Sequence, residues 1–303
     1  MSILIDENTT FIIQGITGRE AVNMTRECLD YGSKVVGGVT PGRGGRDVYG
    51  VPVYDTIAEI TTKQRVDGSV ITVPAPFVRD AAFEAIENGI KLLVIVTERM
   101  PRYEMAQVLE LARLRGTRIV GPNCLGMITP GKSKMGGIGG PAANTRQAYA
   151  PGRIGVMSRS GGMTTEISNS LTAAGLGQST AVSIGGDPLI GSTYAELMPL
   201  FEADPETDAI VIYTEPGGPM DAQLSKWVQE NNSRLPIIAF MAGKFMDKMP
   251  GMRFGHAGTI VEGKADTAEE KLARLAEAGI SVAEEIGQIP DLVKQRLETI
   301  GKA

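Results

Sequence analysis

Short apolar runs alternate with amphipathic stretches along this chain, and the alternation runs twice. Phe11-Ile12-Ile13-Gln14-Gly15 reads as a strand, and Gly15-Ile16-Thr17-Gly18-Arg19-Glu20 turns into a helix ending near Tyr31. Residues 34–38, 68–73, 91–96 and 118–121 read as further strands, with a helical stretch over 78–88. Apolar strands separated by helices imply a parallel sheet, because parallel neighbours need a helical crossover between them. Residues 131–152, rich in Gly, Pro and Ala, read as a connection. The alternation then restarts, with strands at 153–158, 179–184, 209–214 and 236–240. Helices are expected at 163–174, 193–203, 221–229, 267–278 and 291–300. The expectation is an α/β chain of two open domains, 1–130 and a flavodoxin-like 153–303, joined by 131–152.

A length of 303 residues fits two domains, and 38 glycines fit many strand-to-helix turns. The net charge of −5 argues against a nucleic-acid surface. No apolar run reaches the roughly 18 residues of a membrane span. The start, Met1-Ser2-Ile3-Leu4-Ile5-Asp6-Glu7, is too acidic and short for a signal or transit peptide. Cys28 and Cys124 make no disulfide framework, and no metal site is expected. The chain reads as soluble and cytoplasmic, or as a mature organelle protein without its leader.

In such sheets the ligand lies outside the carboxyl ends of the strands. Gly15-x-x-Gly18 is a glycine turn at a helix N-terminus, where backbone N–H groups point at an anion. A dinucleotide with a free ribose wants Asp or Glu after the second strand. This chain offers Gly37-Gly38-Val39-Thr40-Pro41-Gly42-Arg43-Gly44-Gly45, with no carboxylate before Asp47. That loop suits a phosphorylated ribose and disfavours NAD. The next strands end in Val73-Pro74-Ala75-Pro76, Thr97-Glu98 and Gly121-Pro122-Asn123-Cys124. Turn chemistry explains any one of these rims, but five on one edge favour a ligand cleft. Cys124 has no histidine near it in sequence and reads as a structural or ligand-lining thiol.

His256 is the only histidine, set in Arg253-Phe254-Gly255-His256-Ala257-Gly258 after the Met249-Pro250-Gly251 breaker. Glycine neighbours leave it poorly covered, and neutral imidazole is a nucleophile near pH 7. A lone loop histidine ordinarily has no task; two other rims change that reading. Ser158-Arg159-Ser160-Gly161-Gly162 opens a helix with hydroxyls, a guanidinium and free N–H groups, which suits an anion. Glu215 ends an apolar strand, where a carboxylate is costly without a partner, and an imidazole that it orients would be one. Gly185-Gly186-Asp187-Pro188 is a third polar rim. Imidazole, orienting carboxylate and helix terminus together fit a phosphohistidine carrier.

These residues carry a family resemblance. Gln-Gly-Ile-Thr-Gly at 14–18, Gly-Gly-Val-Thr-Pro-Gly-Arg-Gly-Gly at 37–45, Val-Pro-Ala-Pro-Phe at 73–77, Gly-Pro-Asn-Cys at 121–124, Ser-Arg-Ser-Gly at 158–161, Ile-Gly-Gly-Asp-Pro at 184–188 and Gly-His-Ala-Gly at 255–258 occur in order. The chain resembles the α subunit of succinyl-CoA synthetase over nearly its whole length. The resemblance implies a Rossmann-like CoA-binding domain followed by a flavodoxin-like phosphohistidine domain. It implies CoA binding by Thr17, Gly18, Arg19, Glu20, Arg43, Val73, Pro74, Val96, Thr97 and Glu98, with Arg43 where the family usually has Lys. His256 is similar to the phosphorylated histidine and Glu215 to the glutamate that holds it. Ser158, Ser160, Gly161, Gly162 and Thr165 are expected to meet phosphate or acid. An ATP-grasp β subunit would bring ATP or GTP and Mg²⁺, in an αβ pair or (αβ)2 assembly.

The turn Ser158-Arg159-Ser160-Gly161-Gly162-Met163-Thr164-Thr165-Glu166 departs from the succinate pattern, which has a tyrosine where Thr165 stands. Its Gly-Gly-Met form resembles ATP-citrate lyase and citryl-CoA synthetase. The acid is therefore expected to be succinate, or instead citrate-like, malate-like or sulfonated. An NAD-dependent dehydrogenase and a non-catalytic CoA-binding module are the competing readings. The missing acidic residue counts against the first, and the His256 and Glu215 pair against the second.

Overall fold

The computed structural model describes residues 2–252 and 254–302, so Arg253 of the histidine stretch lies outside the described residues. The first sheet is built from β1 (Thr10–Gln14), β2 (Lys34–Val39), β3 (Asp47–Val48), β4 (Val51–Tyr54), β5 (Gly68–Ile71), β6 (Leu92–Ile95) and β7 (Arg118–Val120). Its order is β3-β4-β2-β1-β5-β6-β7, parallel except for the β3–β4 hairpin. From β4 to β7 this is the Rossmann order, with the switch point between β1 and β5. Helices α1 (Arg19–Tyr31), α2 (Ala58–Thr61), α3 (Val78–Glu87) and α4 (Arg102–Arg115) connect the strands. Strands β5 and β6 are buried along their whole length, as covering both faces of a parallel sheet requires.

The second sheet contains β8 (Gly126–Thr129), β9 (Ser133–Met135), β10 (Pro151–Ser158), β11 (Gln178–Ser183), β12 (Ala209–Thr214), β13 (Ile237–Met241) and β14 (Ser281–Ala283). Its order is β14-β13-β12-β10-β11-β8-β9. Strands β10 to β14 run parallel in flavodoxin order, with the switch point between β10 and β12. Strands β8 and β9 extend the β11 edge as an antiparallel hairpin. The helices here are α5 (Ala142–Ala148), α6 (Gly161–Ala173), α7 (Tyr194–Ala203), α8 (Met220–Asn231), α9 (Ala268–Glu277) and α10 (Ile289–Thr299).

The 131–152 stretch, read from sequence as a connection, differs in the structure: it holds β9 and α5. The passage from one sheet to the other falls between β7 and β8. A three-residue strand containing a lysine carries no apolar signal. Yet Lys134 is fully buried, with its ammonium against the Gly140 carbonyl and 3.6 Å from Glu27. The start of β2 is tied to β9, where Ser33 Oγ donates to the Lys134 carbonyl at 2.8 Å and accepts from its N–H at 2.9 Å.

Each sheet has a buried cluster on one face, and the two share a third. One buried cluster runs from Phe11, Val70 and Val94 through Met127 and Met135 to Met157, Val182 and Ile212. Fully burying such a side chain contributes roughly 1.5–3 kcal/mol. The carboxyl end of β7 is joined to the segment after β11: Gly121 N–H donates to Ile184 O at 3.2 Å, and Gly186 N–H to Asn123 O at 3.1 Å. The two sheets are thereby joined at one shared wall, 184–188.

Candidate functional site

The second crevice is assembled by strand ends. Strand β12 delivers Glu215, β10 delivers the Ser158–Gly162 turn, β11 delivers Gly185–Asp187, and the loop after β13 carries His256. The structure brings His256 and Glu215 into contact. Imidazole Nδ1 lies 2.9 Å from Glu215 Oε2, with the two side chains 24% and 12% exposed. Thr259 Oγ1 donates to the same oxygen at 2.8 Å, and the Tyr213 hydroxyl donates to Oε1 at 3.3 Å. A carboxylate accepting from Nδ1 sets the tautomer that leaves the Nε2 lone pair bare. Among the described residues Nε2 takes no hydrogen bond.

Burial by itself would raise the Glu215 carboxyl. The hydrogen bond and charge of His256, with Arg159 and Thr259, outweigh it and hold the group below its ordinary value. Arg159 was read as an anion-facing cation at the rim. The structure instead buries it to 2% exposure beneath the histidine loop, with Nη2 donating to Gly186 O at 3.3 Å and Nε without a partner among the described residues. Gly186 is required by close approach, since a Cβ there would sit 2.4 Å from His256 Cγ.

The loop carrying Glu215 is clamped from below. Lys271 on α9 donates to the carbonyls of Gly217 and Gly218 at 2.8 Å each and to Asp221 Oδ2 at 2.6 Å. Thr214 Oγ1 donates to the other Asp221 oxygen at 2.6 Å, so this buried pair is satisfied. Gly217, at φ 88°, lies against the backbone of residues 258–260, and a Cβ would meet Ile260 O at 2.6 Å.

The five expected anion-site residues divide. Ser160 caps α6, its Oγ accepting from Met163 N–H at 3.4 Å. Gly161 is half-covered by Leu125, and Gly162 faces open space. Ser158 is buried, its Oγ donating to Ser160 O at 2.7 Å and accepting from Ser160 N–H at 3.1 Å. Thr165 Oγ1 is engaged by the buried Tyr149 hydroxyl at 2.9 Å, on the α5 side of α6.

The first crevice is a cleft of about 760 Å³ at the β1–β5 switch point. Thr17, Gly18, Arg19, Glu20, Val73 and Pro74 line it, with Gln14, Thr40, Thr72 and Phe77. Arg19 is 91% exposed and lies 3.2 Å from Glu20. Arg43, Val96, Thr97 and Glu98 do not line this cleft. Arg43 sits in an exposed loop pinned by Asp55, whose Oδ1 accepts from the N–H groups of Arg43 and Gly44 at 3.1 and 3.0 Å. Thr97 Oγ1 donates to Val73 O at 2.6 Å, and Asn123 N–H donates to Thr97 O at 3.0 Å. The 96–98 rim thus stands between the cleft and the shared wall. Cys124 is buried, and burial pushes its thiol up to about 12, which makes it an inert packing group.

Residues 6–99 match the CoA binding domain family and residues 157–281 the CoA-ligase family. The chain is 43% identical over 298 residues to succinate–CoA ligase [ADP-forming] subunit alpha 1 of Archaeoglobus fulgidus, covering 98% of this chain and 99% of that one. The chain belongs to the succinyl-CoA synthetase α-subunit family. It is also 42% identical over 297 residues to the malate–CoA ligase subunit alpha of Methylorubrum extorquens, covering 97% of each. Among solved structures, ATP citrate lyase from Methanothrix soehngenii in complex with citrate and coenzyme A superposes with a TM-score of 0.92 at 24% identity. That match covers 99% of this chain and 52% of the lyase, so this succinyl-CoA synthetase α-subunit fold spans about half of it. As an α subunit, the chain is one part of an NDP-forming acid–CoA ligase that works with a second subunit. Among the described residues no helix is long and apolar enough to cross a membrane, and no cluster of His, Cys, Asp or Glu is built to hold a metal.

Proposed function

We propose that this subunit carries a phosphoryl group on His256 while joining a carboxylic acid to CoA. The observation that carries the reading is the His256–Glu215 pair at a switch point, with one ring nitrogen held and the other bare. The partner subunit, of ATP-grasp type, would supply ATP or GTP with its Mg²⁺. Attack of Nε2 on the γ-phosphorus releases the nucleoside diphosphate and leaves phosphohistidine. An acid carboxylate then takes the phosphoryl group, giving an acyl phosphate and restoring the imidazole. The CoA thiolate attacks the acyl carbon and expels phosphate, giving the thioester. Covalent catalysis divides one difficult condensation into transfers with good leaving groups.

In this scheme Glu215 orients the imidazole and balances its charge as the N–P bond forms. Ser160, Gly161 and Gly162 present the N-terminus of α6 to the moving phosphoryl group. CoA occupies the β1–β5 cleft, its phosphates near Arg19, Arg43 and the Gly15–Gly18 turn, and its thiol arm passes the 96–98 rim. The assembly is an αβ pair or (αβ)2, working in the cytoplasm, which agrees with two free thiols.

Succinate is the first candidate acid. A bulkier or hydroxylated acid is the second, favoured by the open space at Gly162 and by Thr165 turning to Tyr149. The test co-purifies the chain with its β subunit, loads it with γ-labelled ATP or GTP, and discharges it with CoA and a panel of acids. Label on His256 that is absent from His256→Asn is expected, and wild-type enzyme that takes no label would end this reading. The acid that discharges the label fastest identifies the substrate class.

A further inference from the structure

The 184–188 wall that joins the two sheets contains a carboxylate that the mechanism above does not use. Asp187 is 3% exposed and sits one residue after Gly186, on which the imidazole rests. Its Oδ1 accepts from Asn123 Nδ2 at 3.1 Å, and Asn123 N–H in turn donates to Thr97 O at 3.0 Å. Arg99, next to the 96–98 rim, has a positive φ of 59°. On the other side, Gly258 N–H donates to Gly186 O at 3.1 Å, and Arg159 donates to the same carbonyl. Asp187 therefore reaches the 96–98 rim through Asn123 and the histidine loop through the adjoining residue.

We infer that Asp187 is a positioning residue that holds the CoA rim in register with the histidine loop, so that the thiol arm meets the acyl phosphate formed beside His256. The inference rests on the phosphohistidine reading. Its geometry predicts a separation of steps. Phosphoryl loading needs only His256, Glu215 and the partner's nucleotide. Use of CoA needs the 96–98 rim fixed against 186–188. Asp187→Asn replaces the carboxylate that holds Asn123 by a neutral amide with only one acceptor oxygen, which weakens that hold.

The test uses the αβ enzyme carrying Asp187→Asn or, separately, Asn123→Ala. Loading of His256 is read without CoA, and discharge by the acid is read against CoA concentration. Loading should stay within about twofold of wild type, while the KM for CoA rises about tenfold or more in Asp187→Asn and less in Asn123→Ala. Equal loss of loading and of CoA-dependent discharge would make Asp187 a structural strut and overturn the inference. If Asp187→Asn does not fold, Asn123→Ala decides, because it breaks the bond between Asp187 and the rim while leaving the carboxylate in place; an unchanged KM for CoA in that variant overturns the inference. Wild-type enzyme that takes no label overturns the phosphohistidine reading, and this inference with it. Normal wild-type loading with unchanged CoA dependence in both variants overturns the inference alone.

Discussion

At the residue scale, the reaction depends on how one imidazole is held. Glu215→Gln keeps the shape of the orienting group and removes its charge. Loading of His256 should slow by roughly 100-fold or more, read as the initial rate of label transfer. Gly186→Ala tests position without touching charge. A methyl 2.4 Å from the ring must displace it, and a shift of this order should lower loading about 100-fold while the protein stays folded. The Glu215 carboxyl also sets a pH dependence. Its folded pKa is lower than its unfolded one, so its contribution to stability is present above the ordinary carboxylate range. That contribution disappears as pH falls through the lowered value. Melting temperatures followed toward acid should therefore drop more steeply for wild type than for Glu215→Gln.

Elements act through how their ends are fixed. Helix α9 contributes nothing to the reacting atoms, but its Lys271 holds two carbonyls of the Glu215 loop and neutralises Asp221 on α8. Lys271→Met leaves Asp221 buried and unpaired, a loss of about 3–5 kcal/mol. Calorimetry should show the melting temperature lowered by roughly 10 °C for a chain of this size. Helix α6 is fixed differently, with Ser160 as its cap and Thr165 tied to Tyr149 at the end of α5. The open mouth at Gly162, more than the Thr165 hydroxyl, is then the surface that an acid would meet.

For the whole molecule, the two sheets share a core and cannot be divided where the glycine-rich sequence suggests. A chain cut between residues 130 and 131 separates β8 from β9 and exposes Met127, Ile128 and Met135, all fully buried. Co-expressed fragments 1–130 and 131–303 should each be insoluble alone. Circular dichroism of the intact chain should show one cooperative transition, because one continuous apolar cluster spans both sheets.

Some of this was legible in the residues taken in order. Burial on both faces writes parallel strands as unbroken apolar runs, so β1, β2, β5, β6, β7 and β10 to β13 were readable. A lone histidine among glycines and a carboxylate closing an apolar strand are chemically expensive features, and so His256 and Glu215 were readable too. Helix α4 carries a weak signal, because charged residues separate the buried Met105, Val108 and Ala112; the two-residue β3 is too short for any period, and Ser133-Lys134-Met135 and Ser281-Val282-Ala283 hold no apolar run of the kind in β7. What only the tertiary structure decided is which polar groups face a ligand and which face each other. Arg159 and Lys271 have the composition of surface cations and are buried clamps. Ser158 and Thr165 read from sequence as anion-site residues, yet their hydroxyls are taken by Ser160 and Tyr149. Asp187 and Asn123, 64 positions apart, meet only because β7 ends against the segment after β11. Local sequence sets the periodicity and backbone preference of each element. A polar side chain's partner is set by long-range packing, which no local pattern encodes.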